Sequence, residues 1–228
     1  IVSHSGNLSI VDPDPRKLDI PVVIGGIEAS LRRIAHFDYW QEKIRRSVLL
    51  DSKADILLFG NAERAIVELS HRLASGEPIS EIRDLRGTAF AIKSVPMGWS
   101  EIDSSEIDEP GQIDPHPDPY LDTSKRNPAL EEPETSEPSP DAGVQVIKFE
   151  RRPRGMDRGK TVVRIPSFEQ VRDDPVLYAH ASRILHLESN PGNARALVQQ
   201  HGNRQVWINP PPVPLSTPEM DKVFELPY

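Results

Sequence analysis

Short apolar runs that end in glycine alternate with stretches of helical spacing over the first hundred residues. Residues 20–24 form a β-branched run that ends at Gly25-Gly26, and residues 54–59 form a second run that ends at Gly60. Apolar runs of this length without polar alternation are typical of strands buried on both faces of a sheet. The pattern therefore predicts two parallel strands, each closed by a tight glycine turn.

Helical spacing follows each of these predicted strands. Apolar side chains recur at helical intervals over residues 27–35 and 44–49, and again over 62–73 before Gly76. Glycine just after the last apolar position is typical of a helix C-terminus. Residues 86–92 are a third strand candidate. Two strand–helix units followed by a strand predict an α/β fold, a partial doubly wound (Rossmann-like) parallel sheet with flanking helices.

The last third of the chain shows a different pattern. Two β-branched runs, 144–149 and 161–165, predict strands that could pair as a hairpin. Asp-Pro at 174–175 predicts a helix start, with aspartate as the N-cap and proline in the first turn. Asn-Pro at 190–191 predicts another helix, which Gly202 would close.

An extended segment leads to the end of the chain. Residues 206–209 are followed by three prolines at 210–212, which predicts an extended, polyproline-like crossing. Residues 216–219 read Ser-Thr-Pro-Glu, a capping box with proline in the first turn. A last short helix is therefore predicted to begin there.

Acidic residues and prolines are concentrated between these two parts. Residues 101–141 hold 13 Asp or Glu and 2 Lys or Arg, so the remainder of a chain with net charge −8 is close to neutral, at +3. Residues 131–140 lack apolar bulk, and burial there cannot offset the entropy of ordering. We predict an α/β half-domain over 1–100, a largely disordered acidic, proline-rich insert over 101–143, and a hairpin with helices over 144–228.

Cysteine is absent from all 228 residues, which removes several kinds of chemistry. No disulfide, thiolate nucleophile, zinc ribbon or cysteine-held iron–sulfur cluster can form within the chain. No apolar run approaches the roughly 18 residues that cross a bilayer. We expect no secretory leader and a cytoplasmic protein. Because the chain begins at Ile1 rather than methionine, we also expect it to be a piece of a longer protein.

Glycines at the ends of the two predicted parallel strands mark a candidate binding edge. Ligands of open α/β sheets bind at the carboxyl ends of strands, and the helix that follows favours negative charge. Glu28 and Glu63 lie in the first turns of the helices that follow, and Asn61 lies just before the second helix. The alternative is that the glycines form tight turns and the glutamates complement helix dipoles. Neither a G-x-G-x-x-G nor a P-loop motif is present.

The histidines and basic residues carry weaker signals. The seven histidines include no H-x-x-x-H or H-E-x-x-H pair, so no histidine metal site is predicted. The pairs Arg32-Arg33 and Arg45-Arg46 could form a nucleic-acid surface, although charged outer faces of helices are the simpler explanation. The basic cluster over 151–160 could bind a phosphate or face the acidic insert.

Four blocks of this sequence resemble one known family. The blocks are residues 21–40 (PVVIGGIEASLRRIAHFDYW), 53–69 (KADILLFGNAERAIVEL), 173–202 (DDPVLYAHASRILHLESNPGNARALVQQHG) and 206–228 (VWINPPPVPLSTPEMDKVFELPY). In length and order they resemble the N-terminal region of YgiQ family radical SAM proteins. In that family a three-cysteine cluster motif follows shortly after the last block. The resemblance therefore implies that this chain ends just before the radical SAM core.

The resemblance implies an activity that this chain could not perform alone. The full-length protein would use a [4Fe–4S] cluster to cleave S-adenosylmethionine and generate a radical, whereas this cysteine-free part would be non-catalytic. The chain would be an N-terminal accessory domain, tied to the downstream core through the proline-rich segment 209–214 and the last helix. We expect no membrane partner and no nucleic-acid partner, and the substrate is not indicated.

The first two blocks also resemble the later half of cobalamin-binding domains that precede many radical SAM cores. In those domains a Gly-Gly strand end and a Gly-x-x-Glu-like turn line the pocket for the cofactor's nucleotide tail. Gly25, Gly26, Gly60 and Glu63 occupy those positions here. Together with Glu28 and Asn61 at the same strand ends, they are the six candidate residues for cofactor binding. No histidine loop for the lower ligand is present here. Two alternatives therefore stay open: a module for cobalamin or another nucleotide-tailed cofactor, and an RNA or protein interaction module.

Overall fold

The computed structural model describes residues 20–111 and 157–227. The predicted lead-in over residues 1–19, most of the acidic insert and the predicted strand over 144–149 lie outside these ranges. The strands of the described residues are β1 (Val23–Ile24), β2 (His36–Asp38), β3 (Lys43–Arg45), β4 (Ile56–Leu58), β5 (Thr88–Ile92), β6 (Ser100–Asp103), β7 (Thr161–Ile165), β8 (Ala196–His201) and β9 (Arg204–Ile208). The helices are α1 (Ile27–Leu31), α2 (Val48–Asp51), α3 (Glu63–Ala74), α4 (Phe168–Asp173), α5 (Pro175–Leu187) and α6 (Thr217–Phe224).

Seven of these strands form one mixed sheet within the described residues, in the order β1-β4-β5-β9-β8-β7-β6. β1 and β4 are parallel, as are β6, β7 and β8, whereas β5 and β9 are antiparallel to their neighbours. The α/β class is therefore confirmed, but the prediction of a parallel sheet is wrong for its centre. The two parallel groups run in opposite directions, so their carboxyl ends lie at opposite edges of the sheet.

The third predicted strand, β5, is antiparallel because of how the chain returns from α3. Ile82 and Leu85 are buried against β4 and α3, so this return segment packs on the same face of the sheet as the helix. It ends where β4 ends, and the backbone N–H of Phe59 donates to the carbonyl of Gly87 at 2.8 Å. β5 therefore starts beside the carboxyl end of β4 and runs back along it.

The prediction of a helix after residues 190–191 is wrong. Residues 196–208 form the β8–β9 hairpin instead, and Gly202 supplies the turn with φ +59°. An apolar run buried on both sides fits a strand or a buried helix equally well by periodicity. Pairing with the sheet favours the strand. The backbone N–H and C=O groups of β8 pair with those of β7, and the backbone groups of β9 pair with those of β5.

The helical stretch predicted over 27–35 is shorter than its apolar spacing indicated. α1 ends at Leu31, and the chain then forms the β2–β3 hairpin. The Asp38 carboxylate accepts the backbone N–H groups of Trp40 and Gln41, which stabilises the turn of this hairpin. Local side-chain bonds of this kind compete with helix continuation.

The helix ends that were predicted from residues close together in the sequence are confirmed. Gly76 follows α3 with φ +89°, and Asp174 caps α5 by accepting the backbone N–H of Val176. Ser216 and Glu219 form the predicted capping box of α6. These contacts are local, so the sequence specifies them directly.

The sheet buries side chains on both of its faces. Leu57 and Phe59 pack on the face covered by α1, α2, α4 and α5, whereas Ile56 and Leu58 pack against α3 on the other. No residue of α6 is buried. Among the described helices, none has the length and apolar character needed to cross a membrane.

Candidate functional site

The predicted binding edge exists, because β1 and β4 are adjacent and parallel. Ile24 lies opposite Leu57, so Gly25-Gly26 and Gly60 leave the sheet at the same edge. A Cβ on Gly25 would lie 3.5 Å from the carbonyl oxygen of Leu58, so the Gly25 turn lies beside the end of β4. Gly26 has φ +89° and no other atom within 4 Å of the position that its Cβ would take.

The space above Gly60 is filled by the chain itself. A Cβ on Gly60 would lie 3.1 Å from Cγ and Cδ of Pro212. A Cβ on Gly87, in the neighbouring turn, would lie 3.0 Å from the same Pro212 Cδ. The absence of a side chain at these two glycines therefore lets Pro212 pack against both turns. On that side of Gly60, Pro212 occupies the space that a ligand would need.

The two candidate glutamates do not converge on this edge. Glu28 is exposed on α1 and forms an ion pair with Arg32 at 2.9 Å. Glu63 begins α3, which packs on the opposite face of the sheet from α1. Asn61 follows Gly60 in the turn and is exposed. The structure brings the glycines and Asn61 together and separates the glutamates.

The extended segment over residues 209–214, here called the proline segment, is held by hydrogen bonds along its length. Arg86 donates to the carbonyls of Pro211 at 2.9 Å and Pro191 at 2.7 Å. The N–H of Gly87 donates to the carbonyl of Pro210 at 2.8 Å. Proline cannot supply backbone donors, so arginine and glycine donors satisfy its carbonyls.

Arg64 fastens the end of the proline segment to α6. Its guanidinium donates to the carbonyls of Val213 and Pro214 and, through two nitrogens, to the carboxylate of Glu219 at 2.6 and 2.7 Å. The Arg64 and Ser216 hydrogen bonds hold the pKa of Glu219 far below its usual value. Bidentate pairing of this kind fixes orientation as well as distance. α6 is therefore fixed relative to α3.

A groove of about 540 Å³ lies between α3 and α6, and we call it the α3–α6 groove. Val67, Leu215 and Val223 contribute its predominantly apolar surface, and Glu68 and Lys222 lie among its charged residues. Glu63, predicted as a cofactor ligand, lines this groove rather than the glycine edge.

A second cavity, of about 470 Å³, lies at the opposite edge of the sheet, beyond the carboxyl ends of β6 and β7. Its lining includes Asp103, Arg164, Gln170 and the almost fully buried His180 of α5. His180 Nε2 lies 3.0 Å from the Ser104 hydroxyl, and its Nδ1 lies 3.6 Å from an Asp108 oxygen.

The charges around this cavity are balanced by neighbouring side chains. Arg164 forms a bidentate pair with Glu101, which raises the arginine's pKa. The Ser105 hydroxyl and backbone N–H donate to Asp103 and lower the pKa of its carboxyl. No sequence motif indicates this cavity, because Ser104 and His180 are 76 residues apart in the chain.

The arginine pairs of the sequence analysis are largely occupied within the protein. Arg46 donates to Asp51 at 2.8 Å, and Arg45 lies 3.6 Å from the same carboxylate. Arg33 packs over the ring of Phe59, 4.6 Å from the ring centroid, and burial lowers its pKa to about 10. Of the basic cluster over 151–160, residues 151–156 lie outside the described residues; Arg158 donates to the carbonyl of Asn193 at 2.7 Å, and Lys160 lies 5.4 Å from the ring centroid of Trp99.

The described residues lack a ligand set for a metal ion or an iron–sulfur cluster. Within the part of the chain that the structure describes, no group of three His, Cys, Asp or Glu side chains is placed to hold a metal ion. An iron–sulfur cluster needs thiolates, and this chain has no cysteine. The chain's own residues therefore do not fit a [4Fe–4S] cluster.

Comparisons with known proteins give a consistent picture. A family model described as "Radical SAM N-terminal" matches residues 16–228. A UPF0313 protein of Pseudomonas aeruginosa is 59% identical over 209 residues, which is 92% of this chain and 28% of that protein. The UPF0313 protein YgiQ of Escherichia coli is 57% identical over 210 residues, again 92% and 28%. No solved structure matches. The chain thus spans little more than a quarter of the length of these relatives.

Proposed function

The chain belongs to the Radical SAM N-terminal family, and we propose that it is the accessory N-terminal domain of a radical SAM enzyme. The observation that carries this proposal is the coverage of the match. The relatives align with 92% of this chain, whereas the chain covers 28% of their length. Most of such a protein therefore lies outside these residues, with room for a catalytic core.

In this proposal the [4Fe–4S] cluster and S-adenosylmethionine bind to the remaining part of the polypeptide. The bound cluster would supply the electron that cleaves S-adenosylmethionine. This chain contributes no thiolate, so its residues act by covering the core and helping to select the substrate. The hydrogen bonds of Arg64 and Arg86 to the proline segment support this role, because they hold α6 in a fixed position relative to the sheet.

The test uses the full-length protein, reconstituted anaerobically with iron and sulfide and supplied with reductant and S-adenosylmethionine. We expect formation of 5′-deoxyadenosine. The matched control replaces the downstream cluster cysteines with alanine, which leaves this domain unchanged and should abolish the product. If the intact protein neither binds a cluster nor forms 5′-deoxyadenosine, the proposal is wrong.

Cobalamin is the second candidate considered for this domain, and the glycine edge fits it poorly. A nucleotide tail would need the space above Gly60, which Pro212 fills. At Gly26, no described residue lies within 4 Å of the position that a Cβ would take. The described residues of this edge therefore do not fit the nucleotide tail of cobalamin. Adding a corrinoid to the protein and recording its visible spectrum tests this directly, and a spectral change would contradict the assignment.

A further inference from the structure

We propose that the α3–α6 groove is the docking site for the part of the polypeptide that follows residue 228 in the full-length protein. The proposal rests on the proposed function, because it assumes that a core follows this domain. In this proposal the α3–α6 groove receives the core, and its occupant is an apolar segment of the same chain.

The first observation is the exposure of α6. None of its residues is buried, yet Met220 and Phe224 are spaced four residues apart on one face, with exposed fractions of 39% and 73%. Leu226, just beyond the helix, is also exposed. Contiguous exposed apolar side chains of this kind mark interaction surfaces in folded proteins.

The second observation is the facing surface on α3. Val67 is 54% exposed and lines the groove together with Leu215 and Val223. These three apolar side chains line the groove from α3, from the residue after the proline segment and from α6. Covering it would remove apolar area from water on two helices at once, which is the main favourable contribution to association.

The third observation is that α6 is held in place while its apolar face stays uncovered. Arg64 binds Glu219 and the carbonyls of Val213 and Pro214, so the groove keeps its shape without an occupant. Preformed sites bind with less ordering cost than flexible ones. The groove is therefore a receiving surface and does not need its occupant in order to form.

The occupant follows from the position of the groove and the length of the relatives. The described residues end at 227, three residues after α6, and the matched relatives are more than three times as long as this chain. A segment tethered this closely has an effective concentration on the order of millimolar. A second copy of the protein at micromolar concentration would compete poorly with it.

The charges of the groove also favour a protein segment over an anionic partner. Arg64 is neutralised by Glu219, and Arg72 by Glu77 and Asp84. Glu63 and Glu68 add negative charge to the same lining, against Lys222. Nucleic acid needs a clustered positive surface, which these residues do not form.

The test places the photo-crosslinking residue p-benzoylphenylalanine at position 67 of the full-length protein. The matched control is the same residue at position 176. Val176 is also a half-exposed valine on a helix, at 47%, but α5 packs on the opposite face of the sheet from α3. After irradiation, crosslinked peptides are identified by mass spectrometry.

We expect position 67 to crosslink to residues beyond 228 of the same chain, with a yield several-fold higher than position 176. A product of doubled mass would show a second copy in the groove and would overturn the proposal. Equal yields at the two positions, or no crosslink at 67, would also overturn it. The same crosslinking residue at Lys222, which lines the groove from α6, provides an independent second position on the other wall, with the same expected result.

This experiment is separable from the test of the proposed function. Crosslinking to the downstream segment without any 5′-deoxyadenosine would retain the docking surface and remove the radical SAM activity. Formation of 5′-deoxyadenosine without the crosslink would retain the activity and refute the docking surface.

Discussion

Asn209 illustrates how one buried amide can join distant parts of a chain. Its side-chain oxygen accepts the indole N–H of Trp207, and its NH₂ group donates to the carbonyls of Arg83 and Leu85 and to the hydroxyl of Thr88. The distances lie between 2.8 and 3.0 Å. At the residue scale, this amide connects the start of the proline segment to the turn before β5.

Replacing Asn209 with alanine should destabilise the protein by about 2–4 kcal/mol, because several buried polar groups would lose their partner. The control is Asn203→Ala in the β8–β9 turn, an exposed position where we expect a change within about 0.5 kcal/mol. Urea unfolding measures both. Similar effects at the two positions would contradict the role given to Asn209.

His201 is the second residue whose environment is set by distant contacts. It lies at the end of β8, stacked on Phe168 with ring centroids 5.8 Å apart, and no residue within 20–111 or 157–227 hydrogen-bonds to either ring nitrogen. Burial lowers its pKa from 6.5 to about 4, although the nearby Glu169 acts in the opposite direction. The neutral imidazole is therefore the form compatible with the folded state.

Stability should consequently fall as the pH is lowered from about 7 towards 4. The folded pKa lies below the unfolded one, so the unfolded state binds more protons in this window and is favoured by acid. One such group contributes a loss of about 1 kcal/mol between pH 7.5 and 5.5.

Thermal unfolding of the His201→Leu variant should show a weaker pH dependence than the wild type. Part of the dependence should remain, because burial also lowers the pKa of His36. The exposed His186 provides the matched control, and His186→Leu should leave the slope unchanged. An unaltered slope in His201→Leu would refute the assignment.

At the element scale, the strand-to-helix turns show two uses of glycine. Gly26 and Gly60 both follow a strand of the parallel pair, and both have positive φ, at +89° and +69°. Only Gly60 also touches another segment, since Pro212 lies against the position of its missing Cβ. The first glycine serves the turn, and the second serves the turn and the packing of the proline segment.

Alanine substitution separates these two uses. Gly26→Ala should cost about 1–3 kcal/mol, because φ +89° with ψ 179° lies in a region that is essentially restricted to glycine. Gly60→Ala should cost about 2–3 kcal/mol, because the Pro212 contact adds to the penalty for a side chain at positive φ. In a Pro212→Ala background the cost of Gly60→Ala should fall, whereas the cost of Gly26→Ala should not change. Chemical denaturation provides the values, and an unchanged cost of Gly60→Ala in that background would exclude the packing role.

At the scale of the whole molecule, the sheet joins residues on both sides of the acidic insert. β5 from the first part pairs with β9 from the last part, and β6, at the start of the predicted insert, pairs with β7. The proline segment then crosses the glycine edge and carries α6 to α3. The fold therefore presents α6 at a fixed position next to the end of the chain.

Removing the arginine that fixes α6 should loosen this helix without unfolding the sheet. In Arg64→Met we expect several-fold faster hydrogen–deuterium exchange over residues 217–227, because the bonds to Glu219 and the proline segment are lost. Arg172→Met, which removes the pair with its neighbour Asp173, is the control and should leave that exchange unchanged. Unchanged exchange in Arg64→Met would show that other contacts hold the helix.

The sequence by itself determined the features that depend on neighbouring residues. The N-cap of α5 at Asp174, the capping box of α6 at Ser216, and the glycine after α3 are each set by hydrogen bonds within a few residues. The glycine-ended runs likewise indicated β1 and β4 and their shared edge. The sequence blocks indicated the family, which the comparisons confirm.

Only the tertiary structure decided the features that depend on distant partners. Residues 196–201 form a strand because β7 and β9 offer backbone partners on either side, a fact that no local pattern contains. Pro212 fills the space above Gly60 from 152 positions further along the chain. The predicted ligand glycine is therefore a packing position, because the shape of that edge is completed by a segment whose path depends on the whole sheet.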